Sequence, residues 1–256
     1  MENQIKERPI LFSTPMVRAI QEGRKTVTRR ALNAQALKNI GYGIQLGECH
    51  ELPSEGPLHP NSIGYYTDFC PFGQPGDRLW VRETWGVISH DFDEQGNMID
   101  WKPDRPATAI RELPFGRGYY SGHVIYRADG EAEWAGDDDG GGDTRSAWHP
   151  SIHMPRAASR ILLEITDVRV ERLQAISDKQ ALAEGVRLYA DHAALGDWYH
   201  VEGKETYSAD PRKSFELLWS SICLGCQPVG VGGRVQAGDP MTSCERLEAT
   251  IAKATE

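Results

Sequence analysis

The alternation of apolar and polar positions divides the chain into short, well-punctuated elements. Met16, Val17, Ala19 and Ile20 fall on one side of a helical wheel, and Thr14-Pro15 ahead of them supplies an N-cap and a first helical residue. Gly23 stands where a helix-ending glycine belongs, so the chain is expected to turn sharply there. Pro75-Gly76-Asp77 marks a second turn. Arg78 to Trp85 then alternates as a strand, with Leu79, Val81 and Thr84 on one face and Trp80, Arg82 and Trp85 on the other. His123–Ala128 and Arg160–Glu171 read as further strands, the latter rich in branched apolar side chains. Ser177 and Gln180 form a capping box before Ala181, Leu182 and Val186, predicting a short helix stopped by Gly185 with Glu184 in its last turn. Phe215, Leu218, Trp219 and Ile222 recur at helical spacing over residues 211–222.

Between these elements, residues 31–75 and 90–118 are broken by glycine and proline and predict irregular insertions, while the Gly/Asp segment 136–143 reads as a flexible tip. No internal repeat is present. Short strands with a few short helices point to an α+β fold, a small mixed β-barrel carrying long insertions.

Composition narrows the setting. A chain of 256 residues has room for one generous domain or two small ones. With 39% apolar residues and a mean hydropathy of −0.51 it has no run near the ~20 apolar residues of a membrane helix. Met1 to Arg8 lacks the apolar stretch of a signal peptide, so a cytoplasmic protein is expected. Five irregularly spaced cysteines argue against a disulfide framework. Cys223 and Cys226, with Cys244 beyond, fall short of the four-ligand set of a structural zinc, and Pro150 interrupts the His149/His153 pair. No metal or cofactor is expected.

The net charge of −9 argues against a broad duplex-binding face. The charge is uneven, however. Asp137, Asp138, Asp139 and Asp143 sit in one acidic loop, whereas Arg24, Lys25, Arg29, Arg30, Arg78, Arg82, Arg156 and Arg160 lie near the motifs. A local basic cleft for one nucleotide or a short single strand fits this pattern better.

The candidate chemistry begins at Gly23-Arg-Lys-Thr-Val-Thr-Arg-Arg30. An amine beside a hydroxyl forms a base–nucleophile pair for acyl transfer if the amine is held neutral. The same basic turn could instead grip phosphate or solvate a helix end. Lys25 and Thr28 are three apart and would face opposite ways in a straight strand, so the acyl-transfer reading requires a bend there.

Four segments together, GRKTVTRR (23–30), PGDRLWVRETW (75–85), WHPSIHMPR (148–156) and ITDVRVERLQAISDKQALAEGV (165–186), resemble the ASCH family of PUA-like β-barrels, in particular its larger phage and prophage members. The likeness covers residues 9–222 as a single domain with insertions near 31–75 and 90–147, and leaves 223–256 as an atypical C-terminal tail. It implies a small β-barrel, helices closing its mouth, and a cleft for a nucleobase or short nucleic acid. A compact branch of the family removes the acyl group from N4-acetylcytidine.

Carried over by motif, that branch's catalytic residues correspond to Lys25, Thr28 and Glu184. The resemblance thus implies a metal-independent amidohydrolase. Thr28 attacks the amide carbonyl and a desolvated Lys25 accepts its proton, while Glu184 orients Lys25 or passes a proton to the departing cytosine amine. Backbone N–H groups of the Gly23–Thr28 turn are the natural oxyanion donors. Arg24, Arg82 and Glu83 are expected to contact substrate and Trp85 to stack on the base.

The expected partner is a small-molecule nucleoside or a short single-stranded RNA or DNA, with no membrane and an oligomeric state left open. Two other functions fit the same likeness: a non-catalytic reader of RNA or modified DNA, and an ASCH-type ribonuclease that turns Lys25 and nearby arginines on phosphate. Simpler roles also stand beside each assignment. Arg82 and Glu83 can form a structural ion pair, Trp80 and Trp85 can fill the core, and Glu184 can close a helix. The chain departs from the family at Ala157-Ala158, where an aromatic residue is usual. It departs again after residue 222, where the aromatic last strand is missing or replaced by Val229–Val235.

Overall fold

The punctuation residues do set the local elements. In chain order these are β1 (Glu7–Leu11), α1 (Thr14–Gln21), β2 (Val27–Ala31), α2 (Ala34–Leu46), α3 (Pro60–Thr67), β3 (Arg78–Arg82), β4 (Trp85–Ile88), β5 (His90–Phe92), β6 (Met98–Asp100), β7 (Thr108–Phe115) and β8 (Gly118–Tyr126). β9 (Leu162–Arg172), α4 (Asp178–Ala183), β10 (Arg187–Tyr189), β11 (Trp198–His200), β12 (Tyr207–Ser208), α5 (Pro211–Ile222) and β13 (Glu245–Lys253) follow. The computed structural model describes residues 4–50, 59–132, 148–172, 176–189, 196–222 and 245–253. Segment 136–143, Cys223, Cys226, Cys244 and Val229–Val235 lie outside them. The described chain is a mixed α+β structure with several small sheets. None of its helices is long and apolar enough to cross a membrane.

Contacts divide the chain into two units: residues 1–6, 19–78 and 164–252, and residues 7–18, 79–163 and 253–256. In the first unit, β2 pairs antiparallel with β13, Thr28 opposite Ala249. The tail beyond residue 222 therefore contributes a strand beside the candidate turn.

α2 and α3 replace the irregular insertion expected at 31–75. Asn33 caps α2 by accepting the Ala36 N–H, and Gly47, at φ 75°, ends it. Ala36, Ile40 and Gly43 form its buried side. Gly43 acts here as a packing residue rather than a breaker, since a Cβ on it would lie 2.5 Å from the Tyr65 hydroxyl. α4 carries the full capping box, with Ser177 accepting from Gln180 N–H and the Gln180 side chain accepting from Ser177 N–H. α5 buries Phe215, Leu218 and Trp219. β10, β11 and β12 form an antiparallel sheet in that order.

In the second unit the strand read over 78–85 is two strands, β3 and β4. Along β3, Leu79 and Val81 are fully buried and alternate with half-buried Arg78, Trp80 and Arg82. β4, β8 and β7 form a sheet in that order, with Trp85 opposite Tyr126. The stretch 90–118 is not loop-rich as expected: β5 and β6 pair as a hairpin around Gly96, at φ 79°, and β7 runs for eight residues. β7 is interrupted by a register shift between Ile110 and Leu113, where Glu112 takes φ 48°. That irregularity hides the strand's period of two. Trp85, Ile110, Leu113, Val124, Tyr126, Met154 and Ala158 make the core of this unit. Ala158 is fully buried.

Candidate active site

Local backbone bonding bends the chain just before β2. Gly23 takes φ 72° and donates to Ile20 O at 3.0 Å. The N–H groups of Arg24 and Lys25 both donate to Ala19 O, at 2.8 and 2.9 Å, and Thr26 N–H donates to Ala183 O at 2.9 Å. Lys25 thus belongs to a turn, and strand alternation begins only at Val27. The chain bends here, yet at rest it leaves the two side chains on different partners: Lys25 Nζ on Glu184 and Val27 O, Thr28 Oγ1 on Arg30. Of the backbone donors expected to form an oxyanion hole over Gly23–Thr28, the four from Gly23 to Thr26 are already spent on backbone carbonyls, which leaves Val27 and Thr28 N–H as the candidates.

Lys25 and Glu184 meet at this turn. α4 ends at Glu184, and Gly185, at φ 107°, reverses the chain in a conformation other side chains rarely adopt. A Cβ on Gly185 would touch Ala19 Cβ at 3.4 Å and Lys25 Cβ at 3.9 Å, so glycine also lets the two segments approach. Lys25 Nζ donates to Glu184 Oε2 at 2.5 Å, Val27 O at 2.7 Å and Glu184 O at 3.1 Å. Three acceptors match the full donor complement of an ammonium. Arg29 Nη1 holds the other carboxylate oxygen at 3.1 Å, and its guanidinium lies 5.9 Å from the Phe215 ring centre. All three charged groups are buried. Burial pulls the Lys25 amine below its ordinary value; Glu184 opposes that shift, and Arg30 and Arg29 add to it.

Thr28 and Arg30 fall on the strand face opposite Val27 and Arg29. Arg30 Nη1 donates to Thr28 Oγ1 at 3.0 Å and to Arg29 O at 2.8 Å, and its guanidinium sits 5.9 Å from the Phe72 ring centre. Thr28 is fully buried. The candidate nucleophile is therefore held by a guanidinium, and the carboxylate is reached from the other face.

A depression of about 440 Å³ opens beside the turn, lined by Arg24, Leu182, Ala183, Val186, Arg187 and Leu188. That is within the usual range for a small-ligand site. Arg24 donates through Nε to Glu22 at 2.5 Å and through Nη1 to Gly185 O at 3.2 Å. Its Nη2 lies 4.0 Å from Glu202 Oε2, and Arg187 Nη1 lies 3.5 Å from the same oxygen.

Arg82, Glu83 and Trp85 belong to the second unit, where each has its own partners. Arg82 donates to Met154 O at 3.1 Å and Ile152 O at 2.5 Å, pinning the segment that carries His149 and His153. Glu83 takes both oxygens to Arg160, each at 3.0 Å. Arg160 also reaches Asp129 at 2.5 Å and stacks 3.8 Å above Tyr126. Trp85 is fully buried against Phe115, Tyr120 and His149. Among the described residues no cluster of three metal-ligating side chains occurs. No family model, curated protein or solved structure matches the chain.

Three residues acquire site roles that motif reading did not give them. Arg29 and Arg30 registered only as local positive charge, although period two from Val27 already separates them onto Glu184's side and Thr28's side. Arg187, which lines the depression, lies beyond the helix stop at Gly185, where no strand was expected.

Proposed function

We propose that the chain is a divergent ASCH-type, PUA-like protein that hydrolyses the acyl amide of N4-acylated cytosine, with Thr28 as nucleophile, Lys25 as base and Glu184 as proton partner. The observation that carries this reading is the buried Lys25–Glu184 pair at the turn leading into Thr28. Burial lowers the proton affinity of this amine, the direction that a general base requires.

The reaction balances without another reagent. One Nζ proton passes to Glu184 Oε2, and the neutral Lys25 amine, which at rest is bonded to Val27 O and Glu184 rather than to Thr28, must then swing to Oγ1 to take the hydroxyl proton. The Oγ–carbonyl bond forms as the carbonyl π pair moves to oxygen. The negative charge then lies on the former carbonyl oxygen, which Arg30, released from Oγ1, is positioned nearby to meet. Collapse breaks the bond to N4, which takes the proton from Lys25 and leaves as the cytosine amine. Water then attacks the acyl-threonine and gives its proton to Lys25; Oγ departs and takes that proton from Lys25, the acyl group leaves as a carboxylic acid, and Glu184 returns its proton to the amine. Because Thr28 is buried at rest, substrate entry requires the Arg30 side chain to shift.

Release of cytidine from N4-acetylcytidine, followed by ultraviolet absorbance, tests this directly. Thr28→Ala and Lys25→Met are expected to lose at least about a thousandfold in turnover, by analogy with other nucleophile–base pairs. A folded wild-type protein that releases no cytidine overturns the proposal for this substrate.

A further inference from the structure

The β10–β12 sheet presents a face whose chemistry the hydrolytic site does not use. Directly opposed residues in an antiparallel pair share a face, as do residues two apart. The register sets Arg187 opposite His200, Tyr189 opposite Trp198, and His200 opposite Tyr207. One face therefore carries Arg187, Tyr189, Trp198, His200 and Tyr207. Three of its rings are in mutual contact: Tyr189–Tyr207 at 4.7 Å, His200–Tyr207 at 5.4 Å and Tyr189–His200 at 5.7 Å. Tyr207 is 45% exposed and Trp198 36%, high values for side chains that gain so much from burial. At one end of the face lies Arg187, which also lines the 440 Å³ depression with Arg24.

We infer that this face is a stacking platform for consecutive bases of a single-stranded nucleic acid, with Arg187 taking its backbone phosphate at the mouth of the depression. Aromatic rings in series beside guanidinium groups are the general means of holding unpaired bases without reading their sequence. Glu22 holds Arg24 at 2.5 Å, so the guanidinium left for phosphate is that of Arg187, 43% exposed and 3.5 Å from Glu202. His200 supports the same occupant. Burial, and then Arg187, draw its imidazole below the ordinary value of 6.5, so at neutral pH it offers an uncharged ring. A duplex would not fit this chemistry, because its bases are already stacked on one another.

The test is fluorescence anisotropy with a short fluorescein-labelled oligouridylate and its thymidylate counterpart, using the full chain at low salt. Saturable binding that weakens as salt rises is expected. Tyr207→Ala and Trp198→Ala should each raise Kd about tenfold, while Tyr207→Phe keeps the ring and binds as the wild type does. Arg187→Ala should weaken binding and flatten its salt dependence. Binding of either sugar supports the inference, and the tighter of the two names the natural strand. Absence of saturable binding to both, or unchanged affinity in Tyr207→Ala and Arg187→Ala, overturns it. Neither probe contains an acyl amide, so the result stands apart from the hydrolytic reading. Strand binding without N4-acetylcytidine turnover would remove only that reading, and turnover without strand binding would remove only this one.

Discussion

The two buried ion clusters invert each other. In the first unit one carboxylate, Glu184, lies between two cations, Lys25 and Arg29; in the second, one cation, Arg160, lies between two carboxylates, Glu83 and Asp129. The central residue decides what each can do. A guanidinium does not lose its proton in a protein, and Arg160 is further fixed by a two-pronged bond to Glu83 and by the Tyr126 ring. That cluster can only hold elements together. The first cluster contains an amine whose proton affinity burial has already lowered, joined to a carboxylate that can receive its proton. Similar materials thus give a brace in one unit and, in the proposed reaction, a proton-transfer pair in the other.

The largest effects should come from removing each central charge. Glu184→Ala leaves Lys25 and Arg29 buried without the carboxylate that they share, and Arg160→Ala does the same to Glu83 and Asp129. Each is expected to cost roughly 3–5 kcal/mol or more in denaturant unfolding. The comparison sharpens when one flanking cation is replaced instead. Lys25→Met leaves Arg29 paired to Glu184 and fills the site with an unbranched side chain, so stability should change by only about 1 kcal/mol while turnover vanishes. Arg160→Met has no such second cation and should still be strongly destabilised. If Lys25→Met unfolds as readily as Glu184→Ala, the first cluster is a brace as well, and the distinction between the two is lost.

pH provides an intermediate effect of opposite sign in the two regions. The Lys25 amine is held below its ordinary value of 10.5, so between that lowered value and 10.5 the unfolded chain binds the extra proton. Its burial penalty is therefore full in acid and shrinks as pH rises through this window, and wild type should gain stability relative to Lys25→Met toward about pH 10. The Glu83 carboxyl is raised above its ordinary 4.5, chiefly by burial and against the pull of Arg160. Its contribution is fully present below 4.5 and is lost as pH rises through the higher folded value. Wild type should accordingly lose stability relative to Glu83→Gln on going from about pH 4 to neutral. Parallel rather than opposed trends in urea titrations would contradict this assignment.

These clusters also mark where a linear reading of the chain stops. Elements with strong local signals were legible: the capping box at Ser177, the stop at Gly185 and the alternation of Leu79 and Val81 all appear as read. α2 was missed because Gly41 and Gly43 suggest a loop until Tyr65, 22 positions further along, needs the space over Gly43. β7 was missed because one bulge at Glu112 breaks its period. In the candidate site, Lys25 and Glu184 were paired only by a motif likeness, and nothing in their spacing predicts a contact across 159 positions. Glu83 shows the same limit in reverse. Its adjacency to Arg82 suggested an ion pair, yet its partner is Arg160, 77 positions away, because neighbours on a strand point to opposite faces. Local rules place a side chain on a face; only tertiary structure supplies the opposite charge.

The smallest effect is the most specific check on the brace. Tyr126 bonds Ala158 O at 3.0 Å and Thr108 Oγ1 at 2.6 Å through its hydroxyl, while its ring carries Arg160. Burial pushes that hydroxyl up to about 12, so it should stay protonated through about pH 10 in an ultraviolet titration. Tyr126→Phe removes the two hydrogen bonds and keeps the ring under the guanidinium. A loss of about 1 kcal/mol is then expected, the usual net worth of a hydrogen bond of this kind. Tyr126→Leu removes the ring too, and should cost about 1 kcal/mol more by losing the cation–π contact. The difference between the two variants isolates the support that the ring gives Arg160. A brace built around a cation that cannot titrate should keep that difference from about pH 6 to about pH 9, because neither Arg160 nor the tyrosine changes charge there.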